Sequence, residues 1–371
     1  MTNHSTNVSI LIPDGDKFPL GSVINCFSSI DGVRLYVVSR KERIPLKYSR
    51  CVYRFIYLPN INSELEWIAG INEVYENNEI DVVMPIFETG IKTILEQSEK
   101  IKFFDKLTPL PTLNDFMTAS SKDLLAKHLE KLNIPTPKTI ALSYDVLNDW
   151  DKHAIKFPLL AKPLKSGSGK GIVRFEDFSS LDDYFKRNGI DQPYILQEFV
   201  EGKIYCCNVI CVRGEVLAFT IQKGTLWDSK KLYAPQIGME FLHEHRILNP
   251  VKILFKSLNW SGVANIDLLY DIKNDVFNIL EINPRFWGNL TASLMAGVNF
   301  PHLLYLLSKG KEFPSNNYQP ISYYSLRGYK KLCLQNKKYI LNLQLVWKNT
   351  PIRFWLKDPL PMVAELYWKI R

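Results

Sequence analysis

Residues 279–289 read Ile-Leu-Glu-Ile-Asn-Pro-Arg-Phe-Trp-Gly-Asn, and this stretch does more than any other to decide the fold. In an extended strand alternate side chains share a face, so Glu281 and Asn283 should project the same way while Leu280 and Ile282 point oppositely. A carboxylate and an amide oxygen aimed at one point outline a site for a hard cation such as Mg²⁺, which prefers oxygen ligands. Alone, this pair more often marks a polar strand face, so the neighbouring segments decide.

A second apolar strand with a carboxylate lies upstream. Residues 263–269 read Val-Ala-Asn-Ile-Asp-Leu-Leu, and the turn-rich residues 271–275 predict a hairpin between the two strands. Directly opposed residues share a face, so Asp267 joins Glu281 and Asn283 only if it lies opposite an odd-numbered residue. That register requires a loop with an odd number of residues or a bulge.

A glycine-rich loop follows an apolar run that ends in lysine. Residues 158–163 read Pro-Leu-Leu-Ala-Lys-Pro, and residues 165–173 read Lys-Ser-Gly-Ser-Gly-Lys-Gly-Ile-Val. Glycines let backbone N–H groups approach phosphate oxygens, and lysine adds a point charge. The loop lacks the Walker pattern, because Leu164 and Gly171 stand where that motif needs Gly and Ser or Thr. Ile172 likewise breaks the dinucleotide fingerprint, and a flexible hairpin tip is the alternative interpretation.

Residues 194–202 read Tyr-Ile-Leu-Gln-Glu-Phe-Val-Glu-Gly. An apolar strand that runs into Glu-Phe-Val-Glu-Gly suits a hinge whose backbone could hydrogen-bond an adenine edge. Taken singly, the segment is an ordinary strand end, so its meaning depends on the other segments.

Together these segments resemble the ATP-grasp superfamily, in its branch of predicted ATP-dependent carboxylate–amine ligases. That branch typically carries Asn-Pro-Arg-Phe-Trp-Gly, here residues 283–288, and a later Phe-Pro-x-Leu-Leu-Tyr, here residues 300–305. Ser-Lys-Asp at 121–123, opening a helix, and Ile-Pro-Thr-Pro at 134–137, closing it, occur in the expected order. The resemblance covers roughly residues 5–310.

The resemblance implies an α/β fold with three parts. A Rossmann-like pre-ATP-grasp domain is expected over residues 1–115, an ATP-grasp domain over 116–310, and a helical, basic, aromatic C-terminal extension over 311–371. Within the ATP-grasp domain, an α+β lid is expected over about 118–200 and a metal-binding subdomain over about 201–310.

The N-terminal region supports this expectation from its own pattern. Residues 8–115 alternate short apolar strands with helical segments, and strands at 8–12, 33–39 and 81–87 predict a small parallel sheet. Such sheets bind ligands at the carboxyl ends of their strands, so Asp14 and Glu88 are candidate contacts for the acceptor substrate. A turn and a helix cap explain these two residues equally well.

For the nucleotide, the resemblance implies that lysines and the glycine loop bind the phosphates while the main chain of the hinge holds the adenine. The implied ATP-binding set is Lys122, Lys162, Ser166, Gly167, Ser168, Gly169, Lys170, Gly171, Glu198, Phe199, Val200 and Glu201. One departure is Ile204, which stands where many relatives place a ribose-binding Glu. Glu201 is the candidate replacement.

For the chemistry, the resemblance implies that Asp267, Glu281 and Asn283 hold two Mg²⁺ (or Mn²⁺) ions that bridge the phosphate oxygens. Arg285 would stabilise the transferring phosphoryl group, and Lys162 and Lys170 complete the catalytic set. The implied substrate-binding residues are Glu88, Asp14, Arg285 and Asn289.

The implied function is an ADP-forming ligase that activates a carboxylate as an acyl phosphate and joins it to an amine. An amino acid or a cell-surface precursor is a plausible substrate. One alternative is another acyl-phosphate enzyme on the same scaffold, a carboxylase or a phosphotransferase. The other is a non-catalytic nucleotide-binding regulator, which Ile204 slightly favours.

Composition agrees with this prediction. The 371 residues are 46% hydrophobic, enough for a sizeable core split over two or three domains. No apolar run reaches the roughly 18 residues that cross a bilayer, and residues 1–9 lack an apolar signal core. The six cysteines lack paired metal-ligand spacing, so they indicate a reducing compartment. The expectation is a cytoplasmic protein.

The charge is concentrated at the C-terminal end. Residues 321–371 hold ten Lys or Arg and two Asp or Glu, a net +8 that equals the charge of the whole chain. Trp347, Trp355 and Trp368 are interspersed among them. A helical cap on the core with a solvated basic side is the favoured interpretation. Contact with an anionic membrane surface is the alternative, and nucleic acid is not expected as a partner.

Overall fold

The computed structural model describes residues 7–164, 169–229, 234–312 and 317–370. Within these residues the strands form three sheets: an N-terminal four-stranded sheet, a small four-stranded sheet and a central six-stranded sheet. Helices connect and cover them. This mixed α/β architecture is the fold class that the sequence predicts.

The N-terminal sheet consists of short apolar strands that alternate with helices. In chain order its elements are β1 (Val8–Ile12), α1 (Leu20–Phe27), β2 (Val33–Ser39), β3 (Val52–Tyr57), α2 (Glu64–Glu76), β4 (Val82–Val83) and α3 (Glu88–Glu96). The strands are parallel in the order β3-β2-β1-β4, which confirms the predicted parallel sheet. Because side chains alternate, Ile10 and Ile12 pack toward α1 while Leu11 packs toward α2.

The third predicted strand, over residues 81–87, is shorter than expected. Only Val82–Val83 pairs with β1. The chain then leaves the sheet because the N–H groups of Ile86 and Phe87 donate to the Asp14 carboxylate at 3.0 and 2.8 Å. Helix α3 begins at the next residue.

The small sheet follows two helices. The elements are α4 (Leu113–Ser120), α5 (Lys122–Lys131), β5 (Thr139–Ala141), α6 (Tyr144–Asn148), β6 (Leu159–Pro163), β7 (Val173–Phe175), α7 (Phe178–Asn188) and β8 (Tyr194–Glu198). The strands are antiparallel in the order β5-β8-β6-β7. Leu159, Ala161 and Leu196 bury one face of this sheet against Leu181 and Phe185 of α7.

The central sheet is long and antiparallel, and it has a hydrophobic core on each face. Its elements are β9 (Gly202–Val212), β10 (Glu215–Trp227), β11 (Gln236–Phe241), α8 (His245–Ser257), β12 (Gly262–Asp271), β13 (Val276–Asn283), α9 (Leu290–Ala296), α10 (Phe300–Ser308) and β14 (Ser322–Tyr324). The strand order is β13-β12-β9-β10-β11-β14. Val209 belongs to the core that contains α8, whereas Ile210 belongs to the core shared with α9, α10 and the N-terminal sheet.

A bulge in the hairpin of β12 and β13 decides which side chains face each other. Asp271 pairs with Val276, so the loop holds four residues, and a regular ladder would place Asp267 opposite Leu280. Instead the register shifts between Asp267 and Leu268, and Asp267 lies opposite Glu281. The predicted condition, an odd-numbered partner reached through a bulge, is confirmed.

The C-terminal tail, here residues 317–370, begins inside the core. Strand β14 pairs with β11 as the sixth strand of the central sheet, and Tyr318 and Tyr323 are buried. The helices that follow are α11 (Leu326–Gln335), α12 (Leu343–Asn349), α13 (Ile352–Lys357) and α14 (Leu360–Ile370). Helix α14 returns to the N-terminal part, where the Trp368 ring lies 6.1 Å from that of Tyr48.

Among the described residues, no single helix has the length and apolar composition needed to cross a membrane. The pair α9 and α10 passes that test together, but the two helices are bent by 87° at their junction. Most of the apolar side chains of this pair, such as Leu290 and Phe300, are buried in the protein core.

Candidate active site

A cavity of about 430 Å³ lies between the small sheet and the central sheet. The small sheet contributes Lys162, Ile195 and Gln197, and the neighbouring Lys122 opens α5. The N-terminal part contributes Phe18, which lies between β1 and α1. The remaining lining residues come from the glycine loop, the central sheet and the segments that flank them: Gly169, Ile172, Ile204, Cys206, Gln222, Trp227, Ala234, Pro235, Gln236, Asn265, Asp267, Leu280, Glu281, Asn283, Arg285, Trp287, Gly288 and Asn289.

The three predicted metal-binding residues meet on one wall of this cavity. Asp267 and Glu281 are directly opposed on β12 and β13, and Asn283 Nδ2 lies 3.4 Å from Asp267 Oδ2. Lys122 Nζ lies 3.4 Å from Glu281 Oε2. The structure therefore brings the predicted carboxylates, amide and first phosphate-binding lysine together.

The bulge explains why these side chains face the cavity. Upstream of it, Ile279 pairs with Leu268 and both lie in the core that contains α8. Downstream, Glu281 faces the cavity although it has the same parity as Ile279. Leu280 was expected to point away from Glu281, and this expectation is wrong, because the bulged Leu280 also lines the cavity.

The two carboxylates have opposite protonation tendencies. Burial, together with the charge of Glu281, raises the pKa of Asp267 to about 7. Burial also opposes ionisation of Glu281, but the charge of Lys122, a hydrogen bond with Asp267 and the charge of Lys162 hold its pKa below the usual value. Near neutral pH, Glu281 is therefore ionised while Asp267 is partly protonated.

This donor set fits a divalent cation. Two carboxylates and an amide oxygen are the hard ligands that Mg²⁺ prefers, and a bound cation would replace the proton that the pair holds without it. The Asn283 amide faces Asp267 with its nitrogen and Arg285 with its oxygen, so it would turn to bring the oxygen to a cation. Among the described residues no group of three or more His, Cys, Asp or Glu side chains forms a metal site. The set is instead two acids completed by Asn283, which suits a cation shared with phosphate oxygens.

Arg285 is held in place by five contacts, one of them the hydrogen bond from its Nη1 to the backbone oxygen of Phe286 at 3.0 Å. Its Nη2 donates to Asn283 Oδ1 at 2.9 Å, and its Nε lies 3.4 Å from Glu88 Oε2. The guanidinium carbon lies 5.0 Å from the Phe18 ring and 5.2 Å from the Phe87 ring. Of the predicted substrate-binding residues, Arg285 and Asn289 line the cavity, and Glu88 reaches the site through Arg285.

Lys162 is buried at the end of β6, where it is 6% exposed. Its Nζ donates to Gln197 Oε1 at 2.6 Å, and Gln197 Nε2 donates to Thr139 Oγ1 at 2.9 Å. Burial lowers the pKa of Lys162 to about 8, with Lys122 adding to the decrease and Glu281 opposing it. A phosphate in the cavity would favour the charged form of this lysine.

The glycine loop is described only in part. Gly169 and Gly171 have positive φ angles of 71° and 77°, a conformation that L side chains rarely adopt. Gly169 lines the cavity and Lys170 is exposed. Of the predicted phosphate-binding residues in this loop, Ser166, Gly167 and Ser168 lie outside the described residues.

The hinge segment is anchored by its neighbours. The N–H groups of Glu198 and Phe199 donate to the backbone oxygens of Lys138 and Pro158 at 2.9 and 2.8 Å. Among the described residues that line the cavity, none comes from 198–201, whereas Ile204 does line it. The roles of Glu198, Phe199, Val200 and Glu201 toward adenine and ribose therefore stay predictions.

Asp14 is placed away from the cavity, which corrects its expected role as a substrate contact. It is 2% exposed, and its carboxylate accepts from the N–H groups of Ile86 and Phe87 just before α3. Burial raises the pKa of Asp14 to about 7, although these hydrogen bonds lower it in part. Asp14 thus has the alternative role of closing a turn ahead of a helix.

Several cavity residues escaped sequence reasoning. Cys206 on β9 pairs with Asp267 on the adjacent strand β12, and its Sγ donates to Asp267 Oδ1 at 3.1 Å. Burial raises the pKa of Cys206, so the thiol remains a donor. Asn265 shares the parity of Asp267, so alternation along β12 could have identified it. Gln222 and Gln236 come from strands that carry no recognisable motif.

The cavity and the two sheets around it define a two-lobed nucleotide-site architecture. Residues 119–289 match a family model described as an ATP-grasp domain. Residues 119–289 therefore form an ATP-grasp domain, as the sequence resemblance predicts.

One relative in sequence is the D-alanine–D-alanine ligase of Carboxydothermus hydrogenoformans. It is 24% identical over 182 residues, which cover 44% of this chain and 58% of that ligase. The match thus spans little more than half the length of the relative.

Two solved structures are similar over most of their length. N5-carboxyaminoimidazole synthetase from Staphylococcus aureus, complexed with ADP, gives a TM-score of 0.69 at 15% identity and covers 91% of this chain and 87% of its own. L-amino acid ligase from Bacillus licheniformis gives a TM-score of 0.61 at 17% identity, and the match covers 87% of this chain and 80% of the ligase. At these identities the likeness concerns the fold.

Proposed function

We propose that this protein is an ADP-forming ligase that uses ATP and Mg²⁺ to join a carboxylate to an amine. The observation that carries the proposal is the convergence of Asp267, Glu281 and Asn283 with Lys122 and Lys162 on one cavity. A protein that binds a nucleoside triphosphate needs oxygen ligands for the accompanying cation and positive charges for the phosphates, and this cavity offers both. The sequence similarity to D-alanine–D-alanine ligase supports the same reaction class.

The proposed chemistry solves the problem of a poor leaving group. A substrate carboxylate oxygen attacks the γ-phosphorus of ATP, the bond from that phosphorus to the β-phosphate breaks, and ADP leaves. The resulting acyl phosphate is attacked at its carbonyl carbon by an uncharged amine. Phosphate leaves with the oxygen that came from the carboxylate, and the amine loses a proton as the amide forms.

The chain's own residues would position and neutralise the reacting groups. Lys162 and Lys122 offer positive charge at the phosphate end, and Gln197 orients Lys162. Arg285, fixed by Asn283 and Glu88, offers donors to the transferring phosphoryl group or to the substrate carboxylate. Mg²⁺ held by Asp267, Glu281 and Asn283 would supply charge neutralisation of the phosphates, and Mn²⁺ suits the same ligands.

A substrate screen tests this proposal directly. The full chain is incubated with MgATP and a panel of amino acids and uronic-acid sugars, offered singly and in pairs, and the release of ADP and phosphate is measured. A ligase should release phosphate only when an acid and an amine are both present. Formation of ADP that does not depend on an amine would favour a carboxylase, which also releases phosphate, or a phosphotransferase, which does not. Nucleotide binding without turnover would favour a regulator.

Two chemical probes distinguish the acyl-phosphate route once an acid substrate is found. Hydroxylamine in place of the amine should yield a hydroxamate. A carboxylate labelled with heavy oxygen should transfer one labelled oxygen to the released phosphate, because the bond from carbon to that oxygen breaks. An unlabelled phosphate would contradict the proposed chemistry.

A further inference from the structure

The C-terminal helices expose an unusual concentration of apolar side chains. Of the 25 large hydrophobic side chains that are exposed among the described residues, twelve lie within residues 334–367, here called the tail surface. The three most exposed of all are Leu341, Leu343 and Leu334, at 86%, 78% and 77%. Singly exposed apolar residues are ordinary, but such a concentration marks an interaction surface.

The exposed apolar side chains of the tail surface are concentrated in two separate segments. Residues 340–343, Ile-Leu-Asn-Leu, form an apolar tip between α11 and α12. In α14, Leu360, Val363 and Tyr367 are about half exposed and follow helical spacing along one stripe. Both parts therefore present apolar groups outward from an otherwise well-packed protein.

The charge around the tail surface has one sign. Residues 321–371 carry ten Lys or Arg and only two acids, Asp358 and Glu365, whereas residues 1–320 are formally neutral. Asp358 is occupied internally, because its carboxylate accepts from the Ser49 hydroxyl and from the Arg50 N–H. Lys337 and Lys338 are exposed and are separated from the apolar tip by Tyr339 alone.

From this combination we infer that the tail surface binds the surface of an anionic lipid membrane. Apolar side chains gain by entering the boundary between headgroups and acyl chains, and flanking lysines gain by approaching anionic headgroups. Trp347 and Trp355, both partly exposed here, are residues that favour this boundary. The contact is peripheral, since the tail helices have 6 to 11 residues.

Other occupants satisfy these features less well. A second copy in an isologous dimer would set one strongly positive surface against another, and like charges disfavour that contact. Nucleic acid would match the charge, but exposed Leu, Ile and Val side chains gain nothing from phosphates, which dominate the affinity of proteins for nucleic acid. An anionic membrane satisfies both the apolar and the basic character.

Co-sedimentation of the full chain with vesicles tests this inference. Vesicles of phosphatidylcholine alone are compared with vesicles that also contain phosphatidylserine, at low and high salt. The protein should bind the anionic vesicles and remain in solution with the neutral ones, and salt should weaken the binding. Equal binding to both vesicle types, or binding to neither, would overturn the inference.

Two paired variants assign the contact to the tail surface. Leu341→Ser with Leu343→Ser, and separately Lys337→Glu with Lys338→Glu, should each lower the partition coefficient roughly tenfold or more. The matched controls are Ile272→Ser, an exposed residue in the β12–β13 loop, and Lys252→Glu with Lys256→Glu on α8. Thermal unfolding should be unchanged in all, because the substituted side chains are exposed.

The possible results separate the occupants and do not depend on ATP turnover. Weakened binding in both tail variants, with controls like the wild type, supports the inference. Tail variants that bind as well as the controls would overturn it. Sedimentation equilibrium tests whether a second copy binds the tail surface instead. If the wild type is a dimer that does not bind vesicles, and the Leu341→Ser with Leu343→Ser variant is a monomer, the tail surface is a dimer interface.

Discussion

At the scale of single residues, Glu281 connects the most groups in the cavity. Its carboxylate opposes Asp267 across the hairpin and lies 3.4 Å from Lys122. Although burial opposes ionisation, the charges of Lys122 and Lys162 and a hydrogen bond with Asp267 hold the pKa of Glu281 below its usual value. A carboxylate that stays ionised beside a carboxyl that does not is a suitable anchor for a cation. This position is therefore the most informative one to change.

Glu281→Gln should abolish ATP turnover while leaving the fold intact. The substitution keeps the size and the hydrogen-bonding reach of the side chain but removes the charge that a bridging metal ligand needs. Turnover is measured as phosphate release with saturating substrates, and the fold by thermal unfolding. Glu240→Gln, an exposed acid on β11, is the matched control; turnover of Glu281→Gln near the control value would remove Glu281 from the metal role.

Asp14 should make stability depend on pH. Its pKa is raised from 3.8 to about 7 in the folded state, so between these values the folded protein binds more protons than the unfolded chain. Stability therefore falls as pH rises through that window, by up to roughly 4 kcal/mol. Above it the full cost of the buried charge persists.

The Asp14→Asn variant isolates this effect. Without a titrating group, its free energy of unfolding should change less than that of the wild type between about pH 4 and pH 8. Denaturant unfolding at a series of pH values gives the comparison. The absolute stability of the variant also reflects the amide facing a backbone N–H, so the pH slope is the decisive quantity, and parallel slopes would contradict the raised pKa.

At the scale of elements, the docking of α11 on β11 leaves no room for a side chain at one position. A Cβ on Gly328 would lie 1.9 Å from the backbone oxygen of Ile237. Neither partner can yield easily, since that oxygen belongs to a strand of the central sheet. The tail and the sheet are thus joined through backbone contact.

Gly328→Ala should consequently destabilise the protein by at least about 1–3 kcal/mol, the usual cost of overpacking. Denaturant unfolding measures the change. Gly21→Ala in α1 is the control, because a Cβ there would only touch Leu46 at an ordinary 3.7 Å. Equal stabilities of the two variants would show that α11 does not dock as described.

At the scale of the whole molecule, the tail reaches the wall of the cavity. Lys331 Nζ on α11 donates to the backbone oxygen of Trp227 at 2.6 Å, and Trp227 lines the cavity. Arg327 Nη1 lies 3.4 Å from Asp228 Oδ2 beside it. The tail thus supports one end of β10, far along the chain from every motif that identified the site.

Lys331→Ala should lower kcat/KM by a few-fold to about tenfold, because a hydrogen bond from a charged group contributes about 1.5–3 kcal/mol and part of it is replaced by water. The change should appear mainly in KM, since Lys331 positions the wall and touches no reacting atom. Lys330→Ala, its exposed neighbour, is the control. Identical kinetics for the two variants would show that the tail does not position the cavity wall.

The sequence alone predicted the fold class, the parallel N-terminal sheet and the convergence of Asp267, Glu281 and Asn283. These features follow from local rules: alternation along a strand, turn residues between strands and the order of short motifs. The domain boundaries stay predictions, and so do the roles of the hinge residues toward adenine.

Only the tertiary structure decided the remaining features. Whether the hairpin met its register condition depended on a bulge at Leu280, since the loop proved to have an even number of residues. Cys206 joined Asp267, Gln197 oriented Lys162, and Asp14 turned inward to a helix start. These are contacts between residues distant in sequence, and no local pattern encodes which strands become neighbours. Periodicity determines the face on which a side chain lies, whereas packing of the whole chain determines what it meets there.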